Sequence, residues 1–519
     1  MVTIFIDGTA VEVKEGATVL RAAQDAGIAI PHFCYHRAFP PEGSCRMCLI
    51  QIEGSPKFEL ACSTPVREGL KVITQSPAVR EARRGVLEFL MAEHPLDCPV
   101  CDKAGECSLQ DYYQTFGLTQ SAFRELKEKR PKRVQIGEKL LLDQERCVLC
   151  TRCVRFLAGV TKTHELGVFK RGIRSEISTY EGNLVRNNYS GNLVDVCPVG
   201  AITDTEFRMK TRTWFMVKGE SLCPMCSRGC NIYVDYHPGF PRVPGTSKIY
   251  RIRPRVNDLV NGHWICDFGR YGFVGLHQKS RLEKLSSKVG TGGMSTGWEK
   301  TIGALAERIK RIAIVHKPEK LALVLSSWLT NEELFLIKRI FKTGLGVERI
   351  FFADPPSGED DGFLLKGERS PNSRGAKELG FETNSVGWES LADTDALLIF
   401  GHYLTSPDKP HDDVKAALGR IPTKALFASH VSGLESLVDF VFPTAMIAEK
   451  QGSLINADGR LQSFRPVYRP CAEARPEWKI LVDLARTLKL DVACYDRFSD
   501  AEDISREIRK EIPSMGNPE

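Results

Sequence analysis

Cys147-Val148-Leu149-Cys150-Thr151-Arg152-Cys153 is the stretch on which the reading of this chain turns. Three thiols spaced C-x2-C-x2-C can face one point from a tight loop, and a remote Cys197, followed by Pro198-Val199-Gly200-Ala201, offers a fourth. That is the spacing of four-iron cluster ligation, in which thiolates hold iron and inorganic sulfide. Such a loop occurs once in the 519 residues, so Cys197 most simply closes this same site.

Three further groups accompany it. Cys34, Cys45, Cys48 and Cys62 are spaced C-x10-C-x2-C-x13-C. His94-x3-Cys98-x2-Cys101-x5-Cys107 sets a histidine before three thiols. Cys223-x2-Cys226-x3-Cys230 has Cys266 available as a fourth ligand after a gap of 35 residues. Fifteen of the 17 cysteines fall between Cys34 and Cys266, in four sets of four candidate ligands.

Composition frames these sites. The chain is 42% hydrophobic and 26% charged, ordinary globular values, and its length predicts several domains at about 100–200 residues each. No apolar run approaches the roughly 18 residues that span a bilayer. Met1-Val2-Thr3-Ile4-Phe5-Ile6-Asp7-Gly8 reads as a strand entering a turn, not as a basic-then-apolar leader. A cytoplasmic chain is therefore expected, where thiols stay reduced and clustered cysteines mean metal more often than disulfide. The net charge of +6 is uneven: residues 1–300 hold 42 Lys+Arg against 32 Asp+Glu (+10), and residues 301–519 hold 29 against 33 (−4). The basic excess accompanies the cysteines, and cations and hydrogen bonds near an anionic cluster help set its potential. No compact basic run with interleaved aromatics points to nucleic acid.

Local patterns place the ligands. Residues 2–13 alternate around Asp7-Gly8-Thr9, predicting a hairpin. Thr18 can cap a helix to about Ala26, with Gly27 placed to end it. Strand, hairpin, helix and cysteine loop in about 75 residues resemble a plant-type ferredoxin, although the first gap is ten residues, not the plant-type four. A two-iron cluster is expected there, with zinc as the alternative because C-x2-C pairs suit zinc too. Ser76-Pro77 opens a second helix, Ser as cap and Pro in the first turn. Val79, Val86, Leu87, Leu90 and Met91 form its expected buried stripe, and it delivers His94 to the second group. Imidazole in place of one thiolate makes a cluster less negative, which in known cases raises its potential. His32, His36 and His164 lie near these segments, but no spacing recruits them, and they are read as structural or supporting.

After Cys266 the pattern changes. Leu321-Ala322-Leu323-Val324-Leu325 reads as a buried parallel strand. Thr330-Asn331-Glu332-Glu333 reads as a capping box for a helix over Leu334–Phe341. Further short strands are expected at Ile350–Phe352, Ala396–Phe400, Ala425–Phe427 and Phe440–Phe442, giving an α/β domain with a largely parallel sheet. No GxGxxG follows any of them.

The order of the first three groups strongly resembles the large, G-type iron–sulfur subunit of respiratory NADH:quinone oxidoreductase, complex I, in its bacterial form. The match covers residues 1 to about 275; related modules occur in NAD-linked hydrogenases and formate dehydrogenases. The resemblance implies a [2Fe–2S] cluster on Cys34, Cys45, Cys48 and Cys62. It implies [4Fe–4S] clusters on His94, Cys98, Cys101 and Cys107 and on Cys147, Cys150, Cys153 and Cys197. A third [4Fe–4S] cluster on Cys223, Cys226, Cys230 and Cys266 looks like the extra site of some bacterial members, off the main electron path. The expected fold is a series of α+β ferredoxin-like modules: a β-grasp two-iron domain over 1–75, and four-iron modules over 76–115, 116–214 and 215–275. A truncated α/β molybdopterin-oxidoreductase-like domain without cofactor would fill 276–519. The expected work is electron relay from a flavin- and NADH-binding subunit towards quinone. A small 2Fe-2S subunit and quinone-module iron–sulfur subunits would be the other partners. The chain would sit peripherally on the cytoplasmic side of the inner membrane, touching it only through the complex. No complete active site is expected in the chain itself.

The segment Ala448-Glu449-x2-Gly452-Ser453-x2-Asn456-x2-Gly459-Arg460-x-Gln462 resembles part of the molybdopterin oxidoreductases, so an active molybdenum or tungsten enzyme is the rival. Only about 250 residues follow Cys266, Phe268 stands where active enzymes often have Lys, and neither Cys471 nor Cys494 sits where a metal-ligating cysteine would. Both of those cysteines read as packed thiols. An electron-transfer subunit of a hydrogenase or formate dehydrogenase, and a structural zinc protein, are the remaining alternatives.

Overall fold

The hairpin forms as read: strands Val2–Ile6 and Thr9–Val13 pair antiparallel, Ile6 opposite Thr9. The two turn residues, Asp7 (φ 48°) and Gly8 (φ 84°), both take the left-handed backbone that a tight two-residue turn requires. The computed structural model describes the chain apart from residues 118–119, 121–122, 240–246, 279, 289–296, 314–316, 392, 402–404, 407–408, 411 and 516–519. It divides into two units, Met1–Met216 and Val217–Glu519.

In the first unit a five-stranded sheet runs in the order Thr9–Val13, Val2–Ile6, Lys71–Ile73, Leu49–Ile52, Phe58–Leu60, with Val2–Ile6 and Lys71–Ile73 parallel. The helix Val19–Asp25 is capped by Thr18, whose hydroxyl accepts from Arg21 N. Its Val19, Leu20, Ala22 and Ala23 join Ile4, Ile6, Ile50 and Val72 in one core, which also holds Cys48 and Cys62. The next helix, Pro77–Glu93, is capped by Ser76, which accepts from Val79 N, and ends at His94. Its buried stripe is narrower than expected: Val79 and Leu87 are buried, whereas Val86, Leu90 and Met91 are only half-buried. Arg83, one helical turn from each, is fully buried in their line. A three-stranded antiparallel sheet, Ile202–Asp204, Leu140–Leu142 and Val134–Gly137, follows, flanked by the short helices Arg152–Gly159 and Asn192–Val196.

The second unit opens on an antiparallel sheet, Val217–Leu222, Asn231–His237 and Lys248–Pro254. Its main body is a six-stranded sheet in the order Ser286–Ser287, Phe440–Pro443, Thr423–Ala428, Ala396–Phe400, Leu321–Leu325, Ile350–Phe352. The last five are mutually parallel, as their unbroken apolar runs imply. Phe400, Phe427 and Phe442 stand opposite one another on three adjacent strands, and their rings stack at 4.3 and 4.6 Å. The capping box closes in both directions between Thr330 and Glu333. The helix therefore begins at Asn331, three residues earlier than read, and widens into π-type turns over Lys338–Gly344. Among the described residues no helix is long and apolar enough to cross a membrane.

Candidate iron–sulfur sites

The Cys147 loop winds tightly because Leu149 (φ 49°) and Thr151 (φ 58°) adopt left-handed backbone, a conformation side-chain-bearing residues take only under constraint. As a result Cys147, Cys150, Cys153 and the remote Cys197 all line one small cavity, walled by Leu142, Ile177, Val199 and Ile202. Burial pushes the Cys147 thiol up to about 12, the Cys150 thiol up to about 11 and the Cys153 thiol well above its ordinary range. Free thiols in so apolar a pocket stay protonated, and metal ligation is the interaction that ionises them. The donor set and the cavity fit a thiolate-held cluster.

The first set gathers in two pairs. The Cys34 thiol is held down to about 4 by a hydrogen bond from Cys45, whose own thiol rises. Cys62 and Cys48 repeat the arrangement, with Cys62 lowered and Cys48 raised. Cys34 and Cys62 also interact, so the two pairs lie close to each other. In the second set Cys101 interacts with Cys98, and Cys107 with Cys101. His94 faces Asp97 and Arg146, the same pair that faces Cys101. Burial drops the His94 imidazole to about 4, leaving it neutral and able to donate a lone pair at pH 7. Cys98 is exposed, unlike Cys101 and Cys107.

In the fourth set Cys223, Cys226, Cys230 and Cys266 are all buried and interact with one another across the 35-residue gap. Gly269, in the first turn of the helix Asp267–Gln278, donates its N–H to Cys266 Sγ at 3.3 Å. A Cβ there would meet Cys223 Sγ at 3.0 Å, so glycine lets the helix approach both sulfurs. Phe268 is partly exposed with the Arg369 guanidinium 4.6 Å over its ring. Cys471 and Cys494 are buried apart from these sets. Among the described residues no three His, Cys, Asp or Glu side chains are placed to hold a single metal ion.

The segments of the three groups in the first unit contact one another; His32 N, near Cys34, donates to Tyr112 Oη, in the helix after Cys107, at 3.2 Å. Arg152 and Arg155, just past Cys150, reach back to the carbonyls of Tyr35 and Cys34 in the first group. On the other side Pro198, next to Cys197, accepts from Ser108 N at 3.0 Å, and Arg146 holds Asp97 at 2.6 and 3.1 Å. The third group therefore touches both others. The arginines around the sulfurs, Arg83, Arg146, Arg152 and Arg155, were not singled out by sequence reasoning; their only signal was the regional basic excess. His32 is structural, its Nδ1 bonded to Ile30 O at 2.8 Å.

Four family models match in chain order. A 2Fe-2S iron-sulfur cluster binding domain covers residues 1–77, and the NADH-ubiquinone oxidoreductase-G iron-sulfur binding region covers 83–122. The ferredoxin-like domain of NADH-quinone oxidoreductase subunit 3 covers 137–203, and molybdopterin oxidoreductase covers 369–487. The NADH-ubiquinone oxidoreductase 75 kDa subunit of Reclinomonas americana is 38% identical over 68% of this chain and 49% of its own length. In Rickettsia felis the G subunit of NADH-quinone oxidoreductase is 36% identical over 66% and 49%. Iron-sulfur protein 1 of the mitochondrial NADH dehydrogenase of Solanum tuberosum is 36% identical over 68% and 46%. A solved chain of an NAD+-reducing [NiFe]-hydrogenase is 32% identical over 41% of this chain and 91% of that one, with a TM-score of 0.38. The chain spans about half the length of the curated relatives it matches.

Fold and sites together define an iron–sulfur protein, ferredoxin-like cluster domains followed by a molybdopterin-oxidoreductase domain. Within that class the chain is similar, at 36–38% identity, to the 75 kDa, or G-type, iron–sulfur subunit of NADH:quinone oxidoreductase.

Proposed function

We propose that this chain relays electrons one at a time within NADH:quinone oxidoreductase, from a flavin-bearing partner towards quinone. The observation that carries the reading is the contact of the Cys147–Cys197 set with both neighbouring sets inside one unit. Bound clusters supply reversible one-electron transfer; the chain's own residues ligate, insulate and tune. Cys34, Cys45, Cys48 and Cys62 hold a [2Fe–2S] cluster. His94 with Cys98, Cys101 and Cys107, and Cys147 with Cys150, Cys153 and Cys197, hold [4Fe–4S] clusters. Cys223, Cys226, Cys230 and Cys266 hold a third [4Fe–4S] cluster on a side branch. The molybdopterin-oxidoreductase domain carries no molybdenum cofactor and serves as cover and docking surface. The partners are the flavin and NADH-binding subunit, the small 2Fe-2S subunit and the quinone-module iron–sulfur subunits, at the cytoplasmic face of the membrane.

Anaerobic purification of the native complex tests this. Iron, acid-labile sulfide, reducible paramagnetic signals and a quinone-reducing membrane arm are expected. Zinc in place of iron would sink the redox reading, and a hydrogenase or formate dehydrogenase partner without that arm would sink the assignment to this complex.

A further inference from the structure

Two guanidinium groups in the first unit, Arg83 fully buried and Arg152 partly so, form no ion pair with a carboxylate among the described residues. Arg83 is fully buried; its Nη2 donates to Leu49 O at 2.8 Å, while Nε and Nη1 have no partner. Arg152 donates to Val196 O at 3.3 Å and to Tyr35 O, and its Nε is buried with no partner. Among the described residues neither forms an ion pair with a carboxylate, whereas Arg146 is paired with Asp97 and Asp143. A guanidinium does not give up its proton in a protein, so an enclosed one needs an anion nearby. The cysteines are among the groups at hand. Arg83 is within electrostatic reach of Cys48 in the first set, and of the Asp7 carboxylate. Arg152 reaches Cys150 and Cys197 of the third set on one side and Cys45 of the first on the other.

We propose that Arg152 is the shared counter-cation of the first and third clusters, raising both midpoint potentials at the junction between them, while Arg83 serves the first cluster alone. The geometry makes Arg152 a positioning and tuning residue with two clients. It stands in the cluster loop itself, between Cys150 and Cys153, yet its hydrogen bond crosses to the backbone beside Cys34. A cation beside a cluster stabilises the reduced, more negative state, so removing it weakens the hold on the incoming electron. The inference rests on the cluster reading above, and the two fail separately: iron and sulfide content judges that reading, and midpoint potentials judge this one.

The test is a potentiometric titration of the assembled full chain followed by paramagnetic resonance, comparing Arg152→Gln, Arg152→Lys and Arg83→Gln with the parent. Arg152→Gln should weaken electron affinity at both the first and third clusters by about tenfold, about 59 mV for a one-electron couple. The second and fourth should stay unchanged. Arg152→Lys, which keeps the charge, should hold both midpoints, and Arg83→Gln should lower the first alone. An unmoved third or first midpoint in Arg152→Gln overturns the proposal, as does an equal fall in the Lys and Gln chains. If Arg152→Gln loses both clusters while Arg152→Lys keeps them with unshifted midpoints, the charge requirement stands. Loss from both chains overturns it.

Discussion

Gly200 lies so close to Cys101 that a Cβ on it would overlap Cys101 Sγ. The contact joins the Cys197-Pro198 turn of the third set to the second set, and Lys103 Cβ closes the same space at 3.2 Å. Gly200→Ala must therefore displace the Cys101 sulfur, since an approach this short is a steric overlap. The expected outcome is loss of the second cluster's paramagnetic signal with the first cluster's signal intact. A full second-cluster signal in Gly200→Ala would show that the turn yields instead.

Cys266 follows the other three sulfurs of its set by 35 residues, yet it is buried among them and accepts from Gly269 N. Burial raises its thiol to about 12, so outside a metal site it would be a neutral packed group. Cys266→Ser should lower iron content by about four atoms per chain, one cubane cluster. The relay through the first unit should be unaffected. Undiminished iron would remove Cys266 from the ligand set.

Arg281 and Glu449 form a two-pronged buried pair, 2.7 Å at each contact, and Arg281 also donates to Ser429 O and Thr444 O. The pair ties the segment before Leu285 to the loops leaving two parallel strands. Removing one partner strands a buried charge, so Arg281→Ala should cost about 3–5 kcal/mol. Replacing both partners by apolar groups of similar volume should recover most of that. Denaturant unfolding of the second unit, followed by tryptophan fluorescence, measures both. An unshifted midpoint in Arg281→Ala would contradict the geometry.

Glu449 shows how the sequence could be read and where it could not. Its place in the Glu449–Gln462 segment was visible as a fold element, but its partner Arg281 lies 168 residues away and no periodicity connects them. The cysteine groups were legible because their members recur at short, fixed spacings. Strands such as Leu321–Leu325 were legible because burial on both faces demands an unbroken apolar run. Arg83 broke that logic: a helix stripe reads as apolar, and no spacing announces a buried cation that donates to Leu49 O and lies over the Phe116 ring. The contacts between the sets were hidden for a similar reason, since they depend on Arg152, Arg155 and Gly200 bridging segments distant in sequence.

Lys450, Glu333 and Glu477 form a buried triad in the second unit, with Lys450 Nζ donating to Glu333 at 2.8 and 2.9 Å and to Glu477 at 2.9 Å. One cation cannot balance two carboxylates away from water. Burial, then the neighbouring Glu333 charge, raises Glu477 to about 8, against the opposing pull of Lys450. Folding therefore takes up a proton that the unfolded chain, with a glutamate near 4.3, does not hold at neutral pH. Stability from this group is fully present below about pH 4.3 and is lost as pH rises through about 8, with a slope of at most about 1.4 kcal/mol per pH unit. Lys450, raised by the two carboxylates despite its burial, stays charged throughout and adds no slope there. Glu477→Gln removes the titrating carboxyl. The melting temperature of the parent should fall relative to Glu477→Gln between pH 5.5 and pH 8. A difference that stays constant across that range would mean Glu477 is ionised in the folded chain.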